Sequence, residues 1–244
     1  METIEKLSLA KIVTLMPAAA MILEKYNLDF CCRGKQTLSE AISDNSEKLL
    51  EVTTELNILF NEKNKTEVIN YNTLSLADLI VHILTTHHSY VKEYSPLIHG
   101  HLKKITEKHS GRHPELIKIE QLFSEIKLDM DQHMMKEEVI LFPRIKQIDS
   151  QWKDKNIEKE MIQIEAPIHM MEAEHKIAGE ILSKIKELSN NYTAPEDACT
   201  TYRLAFDELK HFEHDLHQHV HLENYILFPK AVELQKKTRM MFSN

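Results

Sequence analysis

Two short stretches carry residue types at a spacing that can do chemistry. HMMKEEVILFP (133–143) and HVHLENYILFP (219–229) each place a His four residues before a Glu, and Ile, Leu, Phe and Pro follow at matched offsets in both. On an α-helix, residues four apart project from one face, one turn above the other. His133 with Glu137, and His219 with Glu223, are therefore two imidazole–carboxylate pairs in a metal-ligand geometry. One such match is weak; two with the same following residues are specific.

The helices that must position these pairs show in the apolar periodicity. The first carries Val81, Leu84, His88, Val91, Ser95 and Ile98, with Ser75 and Asp78 placed to cap its start and Pro96 expected to bend or end it. Pro114 opens a second, with Ile119, Phe123, Ile126, Met130, His133, Glu137 and Ile140 on its stripe. A polar stretch around 149–155 follows it. The third begins near Pro167, carries Ile168, Met171, His175, Ala178, Leu182 and Ile185, and ends at Asn190-Asn191. Pro195 is expected to start the fourth, whose stripe is Tyr202, Ala205, Leu209, Phe212, Leu216, His219, Glu223 and Ile226. His88 precedes His133 by 45 residues and His175 precedes His219 by 44, so two similar helix pairs assemble one four-helix bundle. Pro143 and Pro229 are expected to kink or end the ligand helices.

Four His and two Glu thus lie in seams that are otherwise almost entirely apolar. Burying ionised carboxylates without compensation costs several kcal/mol each. A pair of divalent or trivalent ions, bridged by both carboxylates and flanked by imidazoles, accounts for all six positions together. A single seam His is more often a hydrogen-bonded core residue than a ligand, and it is the repeat that favours ligation. His87, His217 and His221 fall off the stripes and read as surface or rim, with His87 the one-place alternative to His88. Asp129 and Glu174 are placed either to hydrogen-bond ligand imidazoles or to stand as solvated charges.

Ahead of the bundle, residues 1–60 read as short helices, one capped by Ser8 and another with Pro17 in its first turn. Cys31 and Cys32 sit in a turn before the capping box Thr37–Glu40. Arg33, Lys35 and the helix dipole are expected to lower a thiol pKa there, and two small buried hydrophobes are the plainer alternative. Residues 61–72 are polar and aperiodic, a linker to a bundle spanning 73–244.

Composition narrows the classes further. The 244 residues hold 30 Lys plus Arg against 38 Asp plus Glu, a net charge of −8 that argues against nucleic acid or an anionic membrane as partner. Three Cys, without disulfide or zinc spacing, fit a reducing compartment, and charges within the first apolar run spoil a signal-peptide reading, which places the chain in the cytoplasm.

The motifs DFCCRGKQTL, THHSY, HMMKEEVILFP, MEAEHKIAGEIL, ACTTYR and HLENYILFP occur in an order that resembles the repair of iron centres (RIC) family of iron-sulfur cluster repair proteins. The resemblance covers nearly the whole chain. It implies an all-α protein: a small ScdA-like N-terminal helical domain joined to a hemerythrin-like up-down four-helix bundle. It also implies a non-haem centre of two iron ions, oxo- and carboxylate-bridged, with His88, His133, His175 and His219 as ligands and Glu137 and Glu223 as bridges. Family members restore iron-sulfur clusters damaged by nitric oxide or oxidants, most simply by supplying iron, and their adjacent cysteines are associated with that activity. Damaged cluster proteins are the partners this implies; an oxygen- or nitric-oxide-binding sensor or reductase is the rival reading. Arg33 stands where the family commonly has Gly. On oligomeric state, a homodimer included, the sequence is silent.

Overall fold

A computed structural model describes residues 3–43, 45–62, 70–154 and 163–242. Among them no strand is found, and one isolated bridge pairs Ser8 with Thr37. The all-α architecture follows from a chain rich in strong helix formers with only four Gly. The chain divides into two compact units: residues up to Ser75 with His217–Lys230, and Leu76–Leu216 with Ala231 onward.

In the first unit α1 (Leu9–Leu15), α2 (Ala19–Lys25), α3 (Leu38–Ala41) and α4 (Ser46–Glu62) pack around Leu9, Ile12, Leu23, Leu38, Val52 and Leu56, all buried. Ser8 Oγ accepts from Lys11 N–H at 3.2 Å and so caps α1. The Thr37–Glu40 capping box forms as expected, at 3.2 and 2.8 Å. Pro17 lies just ahead of α2, whose first residue is Ala19, and α4 is a full 17-residue helix. Of the segment read as a linker, 63–69 lies outside the described residues. Beyond it Asn72 Nδ2 donates to the Thr14 carbonyl at 3.0 Å, and Lys230 Nζ donates to the carbonyls of Asn72 and Leu74 at 2.7 and 2.9 Å.

The second unit holds α5 (Leu76–His82), α6 (Ser89–His109), α7 (Glu115–Lys136), α8 (Phe142–Asp154), α9 (Glu165–Leu188), the part of α10 (Thr200–Leu222) up to Leu216, and α11 (Phe228–Phe242) from Ala231. The long helix α7 packs on α6 and on α9. Phe123 meets Phe212 edge-on at 5.2 Å and joins α7 to α10, a contact worth about 0.5–1.5 kcal/mol beyond burial alone. Ion pairs His101–Glu208 (2.8 Å) and Lys186–Glu213 (3.1 Å) tie α6 and α9 to α10. Among the described residues no helix is long and apolar enough to cross a membrane.

Among the described residues three helices are interrupted by a π-helical turn: Ile83–His88 between α5 and α6, Glu137–Leu141 between α7 and α8, and Glu223–Leu227 between α10 and α11. In the last two, the N–H groups of Phe142 and Phe228 reach back five residues to the carbonyls of Glu137 and Glu223. Pro143 and Pro229 follow immediately, and since proline donates no hydrogen bond the wider turn loses nothing to it. The helical run therefore does not end at these prolines; α8 and α11 follow directly on the π turns. At the first two π turns the added residue shifts the apolar register by one, whereas Ile226 in the third is buried as its stripe predicts. Val81 and Ile140, expected in the seam, are 50% and 44% exposed, while Ile80 and Leu141 are buried instead. Pro96 lies inside α6, which runs on to His109. Asp149–Asp154 continues α8, and the fourth bundle helix starts at Thr200, five residues after Pro195.

Two glycines give opposite predictions. A Cβ on Gly34 would run into the Phe30 carbonyl and stand 2.8 Å from Ala10 Cβ and from the Tyr225 ring. Gly34→Ala should lower stability by about 1–3 kcal/mol. A Cβ on Gly100, in mid-α6, meets nothing within 4 Å, so Gly100→Ala should raise stability by about 0.5–1 kcal/mol. Urea midpoints of both variants test the packing; equal shifts would contradict it.

Candidate metal centre

The second unit brings four of the sequence-derived ligands together. His88 closes the first π turn, His133 lies near the end of α7, Glu137 opens the π turn after it, and His175 projects from α9. All four are buried, with Glu137 at 0% exposure. Glu137 Oε2 lies 3.4 Å from His88 Nε2 and 3.3 Å from His133 Nε2, and His133 Nε2 lies 3.0 Å from His175 Nε2. Two atoms each about 2.1 Å from one ion and at right angles are about 3.0 Å apart. The spacing is thus that of neighbouring ligands around a common cation. Imidazole with carboxylate suits iron, zinc and manganese.

In the first unit His219 Nε2 lies 3.1 Å from Glu223 Oε1, both at 0% exposure. The same i, i+4 pairing produces this contact as produces His133–Glu137.

Outer carboxylates set which ring nitrogen faces inward. His133 Nδ1–H donates to Glu174 Oε2 at 2.9 Å, and His88 Nδ1–H donates to Glu138 Oε1 at 2.8 Å. Each bond leaves Nε2 with its lone pair toward Glu137. Lysines hold the carboxylates in turn: Lys136 on Glu174 and Lys92 on Glu138, the latter at 2.6 Å. The His133 contact, aided by Lys136 and opposed by burial, brings the Glu174 carboxyl down to about 2. Of the two candidates for this role, Glu174 stands in it, whereas Asp129 is exposed on α7. Glu138 was missed. Its signal is the same rule that singled out Glu174, applied to a carboxylate beside a ligand rather than beside a seam His.

The chain was compared with known proteins. Residues 79–231 match the hemerythrin HHE cation binding domain, and 5–59 match ScdA_N, a domain of unknown function. An iron-sulfur cluster repair protein, YtfE, of Cronobacter sakazakii is 34% identical over 228 residues, covering 93% of this chain and 97% of that protein. A probable iron-sulfur cluster repair protein of Haemophilus influenzae is 33% identical over 224 residues, covering 92% and 96%. This chain belongs to that repair family. The range of its hemerythrin-type match includes all six candidate ligand positions.

Two histidines are not where their sequence positions put them. His87 and His221 were expected at the surface or rim, and both are buried. His87 Nδ1 bonds Asp215 Oδ1 at 2.9 Å, on a different partner from the ligand set. His221 Nε2 lies 3.3 Å from Thr14 Oγ1, and its ring meets Phe30 edge-on at 5.6 Å. Both were misplaced because a single stripe describes a helix covered on one face, and these helices are covered on more than one. His217, by contrast, stays partly exposed, 3.3 Å from Glu24 Oε1.

Burial brings the His221 imidazole down to about 4, with the Phe30 backbone opposing weakly. Unfolding returns it to about 6.5. Below that value the unfolded chain takes up a proton that the folded chain refuses, so stability falls as pH drops from about 6.5 to about 4, by up to about 3 kcal/mol. His221→Gln should flatten this limb. Urea midpoints of wild type and variant between about pH 7 and pH 4 measure it, and parallel curves would assign the acid limb to another group.

Proposed function

We propose that this protein repairs damaged iron-sulfur clusters by donating iron held in its bundle. The observation that supports the reading most is Glu137: a carboxylate with no exposure, faced by the Nε2 atoms of His88 and His133. A cation neutralises it at no structural expense, and this donor set suits iron. In this reading His88, His133, His175 and His219 bind two irons and Glu137 and Glu223 bridge them; one family domain spans all six, and the His-x-x-x-Glu repeat supplies the second half. Relatives that share over nine-tenths of the chain are named for iron-sulfur cluster repair, and damaged cluster proteins are the recipients we propose here.

Bound iron is cargo, and the chain's own groups set how firmly it is held. Glu138 and Glu174 keep the His88 and His133 rings in one tautomer and one orientation. A site with four imidazoles leaves positions that a recipient's ligands or water would enter, which favours transfer over storage. The three cysteines, without the spacing of a disulfide framework, accord with the reducing cytoplasm as its place of work.

Glu137→Leu should abolish iron loading, about two per chain in the wild type by the logic of di-iron bundles, while helix content stays unchanged because the seam becomes wholly apolar. Glu138→Gln should retain iron but bind it about 10–100-fold more weakly. Iron-loaded wild type should restore activity to a nitric-oxide-damaged iron-sulfur enzyme in the absence of added iron, and Glu137→Leu should not. Equal reactivation by that variant would sink iron donation.

A further inference from the structure

The first unit holds a separate cluster of donor atoms. Asp29, Cys31 and Cys32 each offer one ligand atom, and these atoms lie within 4.8 Å of one another. Asp29 Oδ1 organises the turn: it accepts from Cys31 N–H at 3.0 Å, from Cys32 N–H at 2.8 Å and from the Cys31 thiol at 3.3 Å. The two sulfurs stand 3.6 Å apart. We propose that Asp29, Cys31 and Cys32 form a second metal site, which takes one thiophilic divalent cation such as zinc or ferrous iron.

The spacing suits a metal better than a disulfide. Two sulfurs each about 2.3 Å from a tetrahedral ion are about 3.8 Å apart, and a sulfur and a carboxylate oxygen on such an ion are about 3.5 Å apart. Both are close to the distances found. A disulfide, in contrast, wants Cα atoms at least about 4.4 Å apart, whereas residues joined by a trans peptide lie about 3.8 Å apart, and no peptide bond among the described residues is cis. The turn therefore holds two thiols side by side in a place where they are poorly placed to oxidise to each other.

The chemistry of loading follows from the surroundings. Arg33 and Lys35, adjacent in sequence, are both exposed. The Cys32 sulfur, burial and the Asp29 carboxylate instead push the Cys31 thiol well above its ordinary range. Cys31 keeps its proton until a metal displaces it. Each metal–sulfur bond replaces a sulfur–hydrogen bond, both protons leave to solvent, and no electron moves. Asp29 supplies the one fixed negative charge, which draws the cation in and becomes the third ligand. Cys31 is buried and Cys32 partly exposed, so entry is from the Cys32 side.

The test is titration of the full-length protein with cadmium, read by the ultraviolet sulfur-to-cadmium charge-transfer band, to which imidazole and carboxylate sites do not contribute. Wild type and Cys199→Ser should saturate at one cadmium per chain, and Cys31→Ser with Cys32→Ser should show no band. Asp29→Asn keeps an oxygen acceptor for both N–H groups and removes the charge; its affinity should fall by at least about tenfold. X-ray absorption of the cadmium-loaded wild type should find two sulfur neighbours with oxygen completing the shell. Absence of a saturable band in the wild type, unchanged affinity in Asp29→Asn, or a four-sulfur shell shared between chains would each overturn the proposal. None of these readouts depends on iron in the bundle, so the two readings stand or fall separately.

Discussion

Glu137 is the constraint on which the bundle depends. Its carboxylate has no exposure, and the Nε2 atoms of His88 and His133 face it at 3.4 and 3.3 Å. Neutral imidazoles cannot cancel a buried negative charge, and doubly protonated ones would crowd like charges at 3.0 Å where His133 meets His175. A metal ion held among them would satisfy the carboxylate and the rings at once. The rest of the local structure serves that arrangement: lysines restrain Glu138 and Glu174, these restrain the rings, and the apolar seam on either side keeps water from screening the result.

The candidate ligand set was legible because it repeats. His133, Glu137, His219 and Glu223 announce themselves by spacing, and His88 and His175 by their matched offsets within otherwise apolar stripes. What the stripes could not convey is the π turn. A reading based on 3.6 residues per turn assigns Val81 and Ile140 to the core, and both are exposed because each of the first two π turns advances the register by one residue. The His and Glu of each pair beside those turns still meet, since local spacing rather than position in a long pattern sets their distance. His87 and His221 were lost for a related reason. A helix with two covered faces has no single stripe, so a buried residue on the second face looks like a surface one.

The thiol turn shows the limit of reading charge along the chain. Arg33 and Lys35 flank the cysteines in sequence, and from sequence they should favour a thiolate. The side chain that reaches the sulfurs is Asp29, two residues ahead, folded back by its bonds to two backbone N–H groups. That reversal keeps the Cys31 thiol protonated where the sequence suggests a nucleophile. Local capping, by comparison, was read correctly at Ser8 and Thr37, where the partner is fixed at three residues' distance and nothing else can intervene.

The π turns also bear on which changes of chain length the protein can absorb. An α-helix that gains or loses one residue rotates everything beyond it by about 100°. Between Glu137 and Phe142 the turn already holds one residue more than an α-helix would, and the same is true between Glu223 and Phe228. Deleting Val139 would leave every ligand, every outer carboxylate and both prolines in the chain, yet it would close the turn to an ordinary helical one and swing α8 away from its packing partners. Insertions and deletions that surface loops accept readily are thus excluded from these five-residue windows. The count of residues there is as much a part of the site as the identity of its ligands.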